Sequence, residues 1–225
     1  MSGERINFFG VSYFTDPSRL VQINLGFAIS VTSLDSDRTF RQMQDIIKSV
    51  VDNYPTSNIF YSVLSFGDPP IVHINFDDQL SDEDKKRTID SITKTTGIAS
   101  LDKALEKARD LFNAASTQRP TAKNILVVMV DGKSDSKLDD VKASSRLLQA
   151  DRVKVIVVGV GDEVDKPEVD VVTEITVLTN TTDNPDSVAE VIIITIDKGK
   201  EYITSFFSMG LILYCQVNYS QTGFL

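Results

Sequence analysis

The sequence predicts a doubly wound α/β domain with a mostly parallel central sheet, one antiparallel edge strand and helices on both faces. Short apolar runs at 25–29, 124–130 and 153–158 are typical of strands buried on both faces of a parallel sheet. Segments between these runs carry apolar residues at three- and four-residue steps, which indicates helices with one buried face. The run 71–76 instead alternates apolar and polar residues behind two prolines, which predicts the antiparallel edge strand. Together these features define a Rossmann-like arrangement.

The other elements follow from the same periodicities. The first strand is followed by a helix that Asp35 or Ser36 caps and Pro55 ends. Gly159-Val160-Gly161-Asp162 is interpreted as the exit turn of the third buried strand, and we expect some helix and some strand within 170–178. The prediction is completed by a strand at 59–66 and by helices that begin near residues 81, 100, 138 and 185.

The periodicity divides the chain into three segments. Residues 1–21 carry no clear pattern, and we interpret them as a leader that is poorly structured or packed on the domain. Residues 22–197 hold the α/β domain, and residues 198–225 are an atypical apolar tail. The apolar part of the tail is shorter than the roughly 20 residues of a membrane helix, so we expect docking on the domain or disorder. A foreign exon and the start of a second domain are the alternatives.

The composition excludes several classes of protein. With 23 basic and 32 acidic residues the formal net charge is −9, which argues against a nucleic-acid partner. Cys215 is the only cysteine, so no internal disulfide forms, and we expect an inert buried thiol. The first residues lack the basic and apolar regions of a secretory signal. This predicts an intracellular protein, or a fragment or atypical product of a longer secreted one.

Candidate catalytic and modification sites are few. His73 is the only histidine, and without other ligands at metal-binding spacing we expect it to be structural or solvated. The sequence has neither a glycine-rich nucleotide loop after the first strand nor a Gly-x-Ser-x-Gly elbow, so we expect no enzyme. Asn180 and Asn218 begin N-glycosylation acceptor tripeptides. Asn180 is the better candidate of the two, and an unmodified polar loop is the alternative for both.

Five segments of the chain occur in the order and spacing of one known family. They are Gly26-Phe27-Ala28-Ile29 with the hydroxyl loop, Tyr61 to Gly67, Leu101 to Ala108, Asn124 to Asp135, and Val155 to Asp162. Over residues 22–197 the sequence resembles the von Willebrand factor A (vWA) domain, also known as the integrin inserted domain. The closest resemblance is to A domains of animal adhesive and extracellular-matrix proteins. It implies a secreted, non-enzymatic module for cell adhesion, with collagen among the candidate partners.

The resemblance also implies a metal site at the carboxyl ends of the central strands. In the family, an Asp-x-Ser-x-Ser loop, a threonine from another loop and a strand-ending aspartate hold a divalent cation, and the partner's carboxylate completes the octahedron. Here the loop positions are Ser30, Thr32 and Leu34, and the threonine position falls on or beside Ile98. Asp131 alone matches the family pattern. Ser30, Thr32 and Asp131 are thus a remnant site, whose one carboxylate lacks the charge to hold a hard dication well.

We therefore predict a degenerate metal-ion-dependent adhesion site and no bound cofactor. Mg²⁺ or Mn²⁺ held by a rearranged site is the alternative, with Asp35, Asp37 or Asp135 as additional ligands. A second alternative is a metal-silent structural spacer or assembly unit of a larger matrix protein. A third, from another class, is a nucleotide-binding enzyme.

We expect a matrix or cell-surface protein as the partner, and no nucleic acid, small-molecule substrate or membrane anchor. The expected location is extracellular by resemblance, although the chain shows no signal peptide, and a cytoplasmic location is the alternative. The predicted partner-binding residues, which lie in three loops, are Ser33, Asp35, Thr96, Gly97, Asp131, Ser134 and Asp135.

Overall fold

Strands and helices alternate along most of the chain in the computed structural model, which describes residues 5–8, 11–14, 21–31, 37–54, 58–95, 97, 99–173, 175–198 and 214–217. The described strands are β1 (Arg5–Phe8), β2 (Val11–Phe14), β3 (Ile23–Ser30), β4 (Ile59–Phe66), β5 (Ile71–Ile74), β6 (Lys123–Val130), β7 (Val153–Val160), β8 (Ile175–Thr179) and β9 (Tyr214–Val217). The described helices are α1 (Asp37–Asn53), α2 (Asp82–Ser91), α3 (Leu101–Gln118), α4 (Leu138–Ala150), α5 (Lys166–Val172) and α6 (Pro185–Lys198).

Seven strands form one sheet in the order β5-β4-β3-β6-β7-β8-β9. The five inner strands run parallel, because a connection that contains at least one helix returns the chain to the starting end of the sheet before the next of them begins. β5 and β9 pair antiparallel at the two outer edges. The predicted doubly wound, mostly parallel class is confirmed, and the second antiparallel edge strand comes from residues 214–217.

The sheet is buried on both faces by two separate hydrophobic layers. One layer joins the sheet to α1, α2 and α6 through side chains such as Ile47, Ile89 and Ile192. The other joins it to α3, α4 and α5 through side chains such as Leu105 and Leu148. This two-sided burial explains why β3, β6 and β7 are apolar at consecutive positions rather than at alternate ones.

Two strand glycines mark close packing between the sheet and its neighbours. A Cβ on Gly26 in β3 would lie 3.0 Å from the Phe112 ring of α3, so glycine lets this helix approach the central strand. A Cβ on Gly159 would lie 2.9 Å from Leu178 of β8 and 3.0 Å from Val164. Gly159 and Val160 therefore belong to β7, and their prediction as part of the exit turn is wrong. The turn begins at Gly161, whose φ of 92° requires a conformation that glycine adopts easily.

Most predicted elements lie where the patterns placed them. The strand predicted at 59–66 is β4, the half-exposed edge strand is β5 although it ends at Ile74, and 170–178 divides between α5 and β8. Ser81 caps α2 by accepting a hydrogen bond from the Asp84 N–H. The predicted caps of α1, Asp35 and Ser36, and its stop at Pro55 lie outside the described residues.

The two terminal segments contain strands that the sequence analysis did not predict. β1 and β2 form an antiparallel hairpin within 1–21. β9 lies within 198–225 and pairs with β8, with Tyr214 opposite Leu178 and Val217 opposite Ile175. Cys215 is part of β9 and stands opposite Val177. The boundaries of the three predicted segments stay a prediction.

Two buried tyrosines on the α1 side of the sheet have different hydrogen bonding. The Tyr54 hydroxyl, just after α1, donates to Asp197 of α6. Tyr61 of β4 is 3% exposed, and its hydroxyl has no hydrogen-bond partner among the described residues. Lys85 Nζ lies 5.0 Å from the centroid of the Tyr61 ring. Burial raises the pKa of both phenols. Burial therefore removes water from the Tyr61 hydroxyl without a described hydrogen bond to replace it, whereas the Tyr54 hydroxyl gains the bond to Asp197.

We predict opposite effects for the two matched Tyr→Phe substitutions. Tyr61→Phe keeps the free energy of unfolding or raises it by up to about 1 kcal/mol, because it removes an unpartnered buried hydroxyl. Tyr54→Phe lowers it by about 1 kcal/mol, because the bond to Asp197 is lost. Urea denaturation of both variants measures the difference. A loss of stability in Tyr61→Phe as large as that in Tyr54→Phe would contradict this account.

Candidate functional site

The carboxyl ends of the parallel strands form the candidate site, which we call the upper rim (described residues 30–31, 93–95, 97, 99–100 and 131–137). Ile29 of β3 pairs with Met129 of β6, so Ser30 and Asp131 leave neighbouring strands at the same edge. Both residues are buried, Ser30 at 5% and Asp131 at 3% exposure. The structure therefore brings together two members of the predicted remnant site. The third, Thr32, lies outside the described residues.

A buried carboxylate from α5 holds the loop that follows β6. The Ser134 N–H donates to Glu168 Oε2 at 3.0 Å, and the Ser134 hydroxyl donates to Glu168 Oε1. Glu168 is 4% exposed, and its own N–H donates to the Asp165 cap of α5. The two bonds place both oxygens of one buried side chain on Ser134, which fixes the loop at this residue. Ser134, a predicted partner-binding residue, is thus engaged inside the protein.

The same loop is bonded reciprocally to the start of α3. The Asp135 N–H donates to the Ala99 carbonyl at 2.9 Å, and the Ala99 N–H donates to Asp135 Oδ2 at 3.2 Å. The Ser136 hydroxyl donates to Asp102 Oδ1, and the Asp102 N–H donates to Ser136 Oγ at 3.2 Å. The loop after β6 and the loop before α3 therefore form one hydrogen-bonded unit. The Asp135 carboxylate faces Ala99 within it.

The loop before α3 also contacts the end of β3. The Thr95 N–H donates to the Val31 carbonyl at 2.8 Å, which fixes residues 93–95 beside Ser30. Gly97 is exposed, and among the described residues a Cβ built on it would meet nothing within 4 Å. Gly97 is thus an open point on the upper rim. The other predicted partner-binding residues Ser33, Asp35 and Thr96, together with Ile98, lie outside the described residues.

The oxygen atoms of the described upper-rim residues decide whether these residues can hold a divalent cation. Mg²⁺ requires six oxygen ligands in near-octahedral geometry, with carboxylates to balance its charge. The described side chains at the junction of β3 and β6 include the Ser30 hydroxyl and the Asp131 carboxylate. The nearby acids Asp135 and Glu168 accept bonds from loop N–H groups. No group of three or more His, Cys, Asp or Glu side chains among the described residues is arranged to hold a metal ion. The described donors alone do not fit a tightly held Mg²⁺.

Glu168 is the residue of this site that the sequence analysis missed. Its side chain acts on a serine 34 positions earlier in the chain, and no short motif links the two. A local signal exists, because Pro167 and the Asp165 cap mark the start of a helix in which position 168 lies in the first turn. An acid is common there for capping reasons alone, so the signal does not reveal the contact with Ser134.

Two other predicted residues lie on or beside other strands of the sheet. His73 is on β5, where its Nε2 lies 2.8 Å from Ser65 Oγ, and burial lowers its pKa below the usual 6.5. Asn180 is exposed at the end of β8 and lines a cavity of about 370 Å³ together with Val164, Leu178 and Asp183. The Asp183 carboxylate accepts bonds from the Thr179 hydroxyl and the Asn180 N–H, both at 2.8 Å. A glycan on Asn180 would therefore stand at the mouth of this cavity.

A doubly wound α/β domain whose strand ends carry a polar rim is the class that the fold and site define. The sequence model of the von Willebrand factor type A domain matches residues 28–192, most of the chain. The chain belongs to this family, which confirms the resemblance seen in the sequence. None of the helices among the described residues combines the length and apolar character needed to span a bilayer.

Individual relatives match parts of the chain at lower identity. Human vitrin is 28% identical over 129 residues, which cover 56% of this chain and 19% of vitrin. Mouse integrin alpha-M is 26% identical over 142 residues, which cover 62% of this chain and 12% of the integrin. The chain thus spans about a fifth or less of the length of these relatives.

Solved structures show the same fold. Proximal thread matrix protein 1 from the mussel byssus, with a zinc occupied MIDAS motif, superposes with a TM-score of 0.66 at 21% identity, over 77% of this chain and 45% of that one. Manganese-loaded TRAP protein of Plasmodium vivax superposes with a TM-score of 0.65 at 12% identity, over 77% of this chain and 74% of that one. Metal-bound domains therefore occur among the structural neighbours.

We predict that Glu168 stabilises the upper rim. Glu168→Ala removes the acceptor of two Ser134 bonds and leaves buried donors unpaired, which lowers the free energy of unfolding by about 1–3 kcal/mol. Glu163→Ala is the control, because Glu163 is exposed on the preceding loop. Urea denaturation gives both values, and amide hydrogen exchange shows whether residues 131–136 lose protection first. Equal stability of the two variants would contradict the role of Glu168.

His73 gives the protein part of its pH dependence. Burial lowers the pKa of His73 in the folded protein below 6.5, the value in the unfolded chain. Between these two pKa values, His73 carries a proton in the unfolded chain but not in the folded protein. Stability therefore falls as the pH decreases through this window and recovers above it. In His73→Gln, the difference between the urea midpoints at about pH 7.5 and about pH 5 should be smaller than in the parent protein. An unchanged difference would contradict this assignment.

Proposed function

We propose that this chain is a non-enzymatic adhesion module that binds an extracellular-matrix or cell-surface protein through its upper rim without a metal ion. The observation that carries the proposal is that acidic side chains of the upper rim and of α5 accept hydrogen bonds from the protein itself. Asp135 and Glu168 bond to the loops themselves, and the described donors beside Asp131 include the neutral hydroxyl of Ser30 rather than a second carboxylate. A rim of this kind recognises a partner through shape and hydrogen bonds.

Family membership and the named relatives support the adhesive part of the proposal. An integrin subunit and a byssal thread matrix protein are among the proteins that this chain is similar to. The proposed location is accordingly extracellular, and the partner belongs to the matrix or to a cell surface, with collagen as the first candidate to test.

The alternative is a structural spacer whose upper rim binds nothing. The internal hydrogen bonds of Ser134, Asp135 and Ser136 favour it, because they leave these three side chains less able to contact a partner. The two proposals share the metal-free rim and differ in whether a partner covers it. Gly97 separates them, because bulk can be added there without disturbing the fold.

We predict that divalent cations leave the thermal stability of this domain unchanged. A ligand that binds only the folded state raises the melting temperature as its concentration exceeds the dissociation constant. Melting is followed by calorimetry in EDTA and in Mg²⁺ or Mn²⁺. For a site with a micromolar dissociation constant, an ion concentration about 100 times that constant would raise the free energy of unfolding by about 2.7 kcal/mol. Asp131→Ala, melted in the same two buffers, is the control for binding elsewhere. A rise in the parent protein that Asp131→Ala abolishes would instead establish metal-dependent adhesion through a rearranged site.

Gly97→Trp should weaken partner binding while leaving the fold intact. A tryptophan here extends into open space on the upper rim, so the melting temperature stays the same and binding to immobilised collagen or another matrix protein falls by about tenfold or more. Gly97→Ala is the matched control and should bind like the parent protein. Binding is measured in EDTA by surface plasmon resonance. Equal binding by Gly97→Trp would move the contact away from the rim, and absence of matrix binding by every variant would favour the spacer.

A further inference from the structure

The two edges of the central sheet differ in their protection against other strands. At the β5 edge, Asp68-Pro69-Pro70 precedes the strand and Asp77-Asp78 follows it. The pairing of β5 with β4 shifts register between Val63 and Leu64. Prolines, charges and irregular pairing are among the usual devices that keep edge strands from pairing with other molecules. The β5 edge is therefore protected.

The β9 edge has none of the protecting residue types. β9 lies within residues 202–225, a run of 24 residues that contains no Asp, Glu, Lys, Arg, His or Pro. This is the longest uncharged run of a chain in which 24% of residues are charged. The strand itself, Tyr-Cys-Gln-Val, contains residues that favour β structure. It covers the edge of β8 but presents its own outer main-chain groups as the new edge of the described sheet.

Net charge restricts where two copies of this chain can meet. Each copy carries a formal charge of −9, so contacts through most of the surface bring like charges together. β9 itself contains no charged residue, so two copies that pair through this strand add no like charges from it. A strand that pairs antiparallel with a second copy of itself also satisfies a twofold axis, which closes the assembly at two subunits.

We propose that the outer edge of β9 is a self-association surface that pairs antiparallel with β9 of a second copy, so that the two seven-stranded sheets become one continuous sheet. Main-chain hydrogen bonds supply the affinity, as in other cases of strand addition at a sheet edge. Each β9 stays on the β8 of its own copy. The upper rim is formed by other strands, so this surface is independent of the proposed partner-binding site.

The first experiment places a charge on each edge in turn. Sedimentation equilibrium of the full chain is expected to show a monomer–dimer equilibrium. Gln216→Lys puts like charges on both paired strands and should raise the dimer dissociation constant by about tenfold or more. Ile71→Lys is the matched control, because Ile71 is 52% exposed on the opposite edge and its variant should dimerise like the parent. Circular dichroism and thermal melting of both variants verify that they fold.

A mixing experiment separates lost pairing from lost folding. Gln216→Lys and Gln216→Glu each dimerise poorly alone, whereas an equimolar mixture should recover dimers, because opposite charges then face each other across the twofold axis. A twofold antiparallel pair centred on residue 215 or 216 keeps the two copies of residue 216 on one face of the sheet, as diagonal or directly opposite neighbours. Recovery in the mixture therefore supports this edge as the contact, and a mixture that stays monomeric overturns it.

A disulfide tests whether β9 remains on its own copy. Val177 and Cys215 are directly opposite each other in the antiparallel β8–β9 pair, a separation that a disulfide can span. Oxidised Val177→Cys should give a disulfide within one chain, seen as a monomer on a non-reducing gel. A disulfide that joins position 177 of one chain to Cys215 of another would show that β9 exchanges between copies and would overturn the proposed arrangement. A parent chain that is monomeric at every concentration, or a dimer disrupted by Ile71→Lys and not by Gln216→Lys, would also overturn it.

Discussion

The parallel pairing of β3 with β4 and β6 is the constraint on which the rest of the structure depends. β3 has neighbours on both sides and a helix layer on both faces, so every one of its eight residues is buried. Gly26 allows the Phe112 ring of α3 to approach this strand to a distance at which a methyl group would clash. Because both neighbours are held in register, Ser30 and Asp131 leave the sheet side by side. The chemistry of the upper rim thus follows from the packing of the central strand.

The described part of the upper rim is ordered by hydrogen bonds between its own segments. Asp135 and Glu168 each accept bonds from backbone N–H groups of a neighbouring segment. Such bonds join loops that belong to different parts of the chain. The order of these loops therefore depends on a few side chains that are far apart in the sequence.

The sequence predicted those parts of the fold that depend on local patterns. Both ends of β4 were predicted because its apolar run is bounded by turn residues. The Ser81 cap of α2 was predicted from the serine hydroxyl and the acidic residues that follow it. Gly159 was assigned to a turn because a glycine near a strand end usually signals one, whereas it is there to make room for Val164 and Leu178. β9 was not predicted, because its pairing with β8 is a contact at the sheet edge that the periodicity of the sequence does not reveal.

Only part of the candidate site was predicted, because local sequence patterns reveal strand ends but not contacts between distant segments. The positions of Ser30 and Asp131 followed from strand ends, which are visible in the sequence, and from the family resemblance. The role of Glu168 depends on where α5 packs relative to Ser134, and that placement is a property of the folded core. Ser134 and Asp135, which were chosen from a loop at a strand end, do lie in the loop after β6, and their role as partner contacts stays a prediction. Their hydrogen bonds into neighbouring segments could not be read from their residue types.

The link between Ser134 and Glu168 would have a mechanical consequence under tension. A force applied to residues 131–136 would load the side chain of Glu168 and hence the short helix α5, whose seven residues have limited contact with the sheet. The parallel strands share a shear load over many main-chain bonds, while this corner bears its load on a few side-chain bonds. Traction on the rim would therefore detach α5 before it separates the strands, and the central sheet would survive as an elastic anchor.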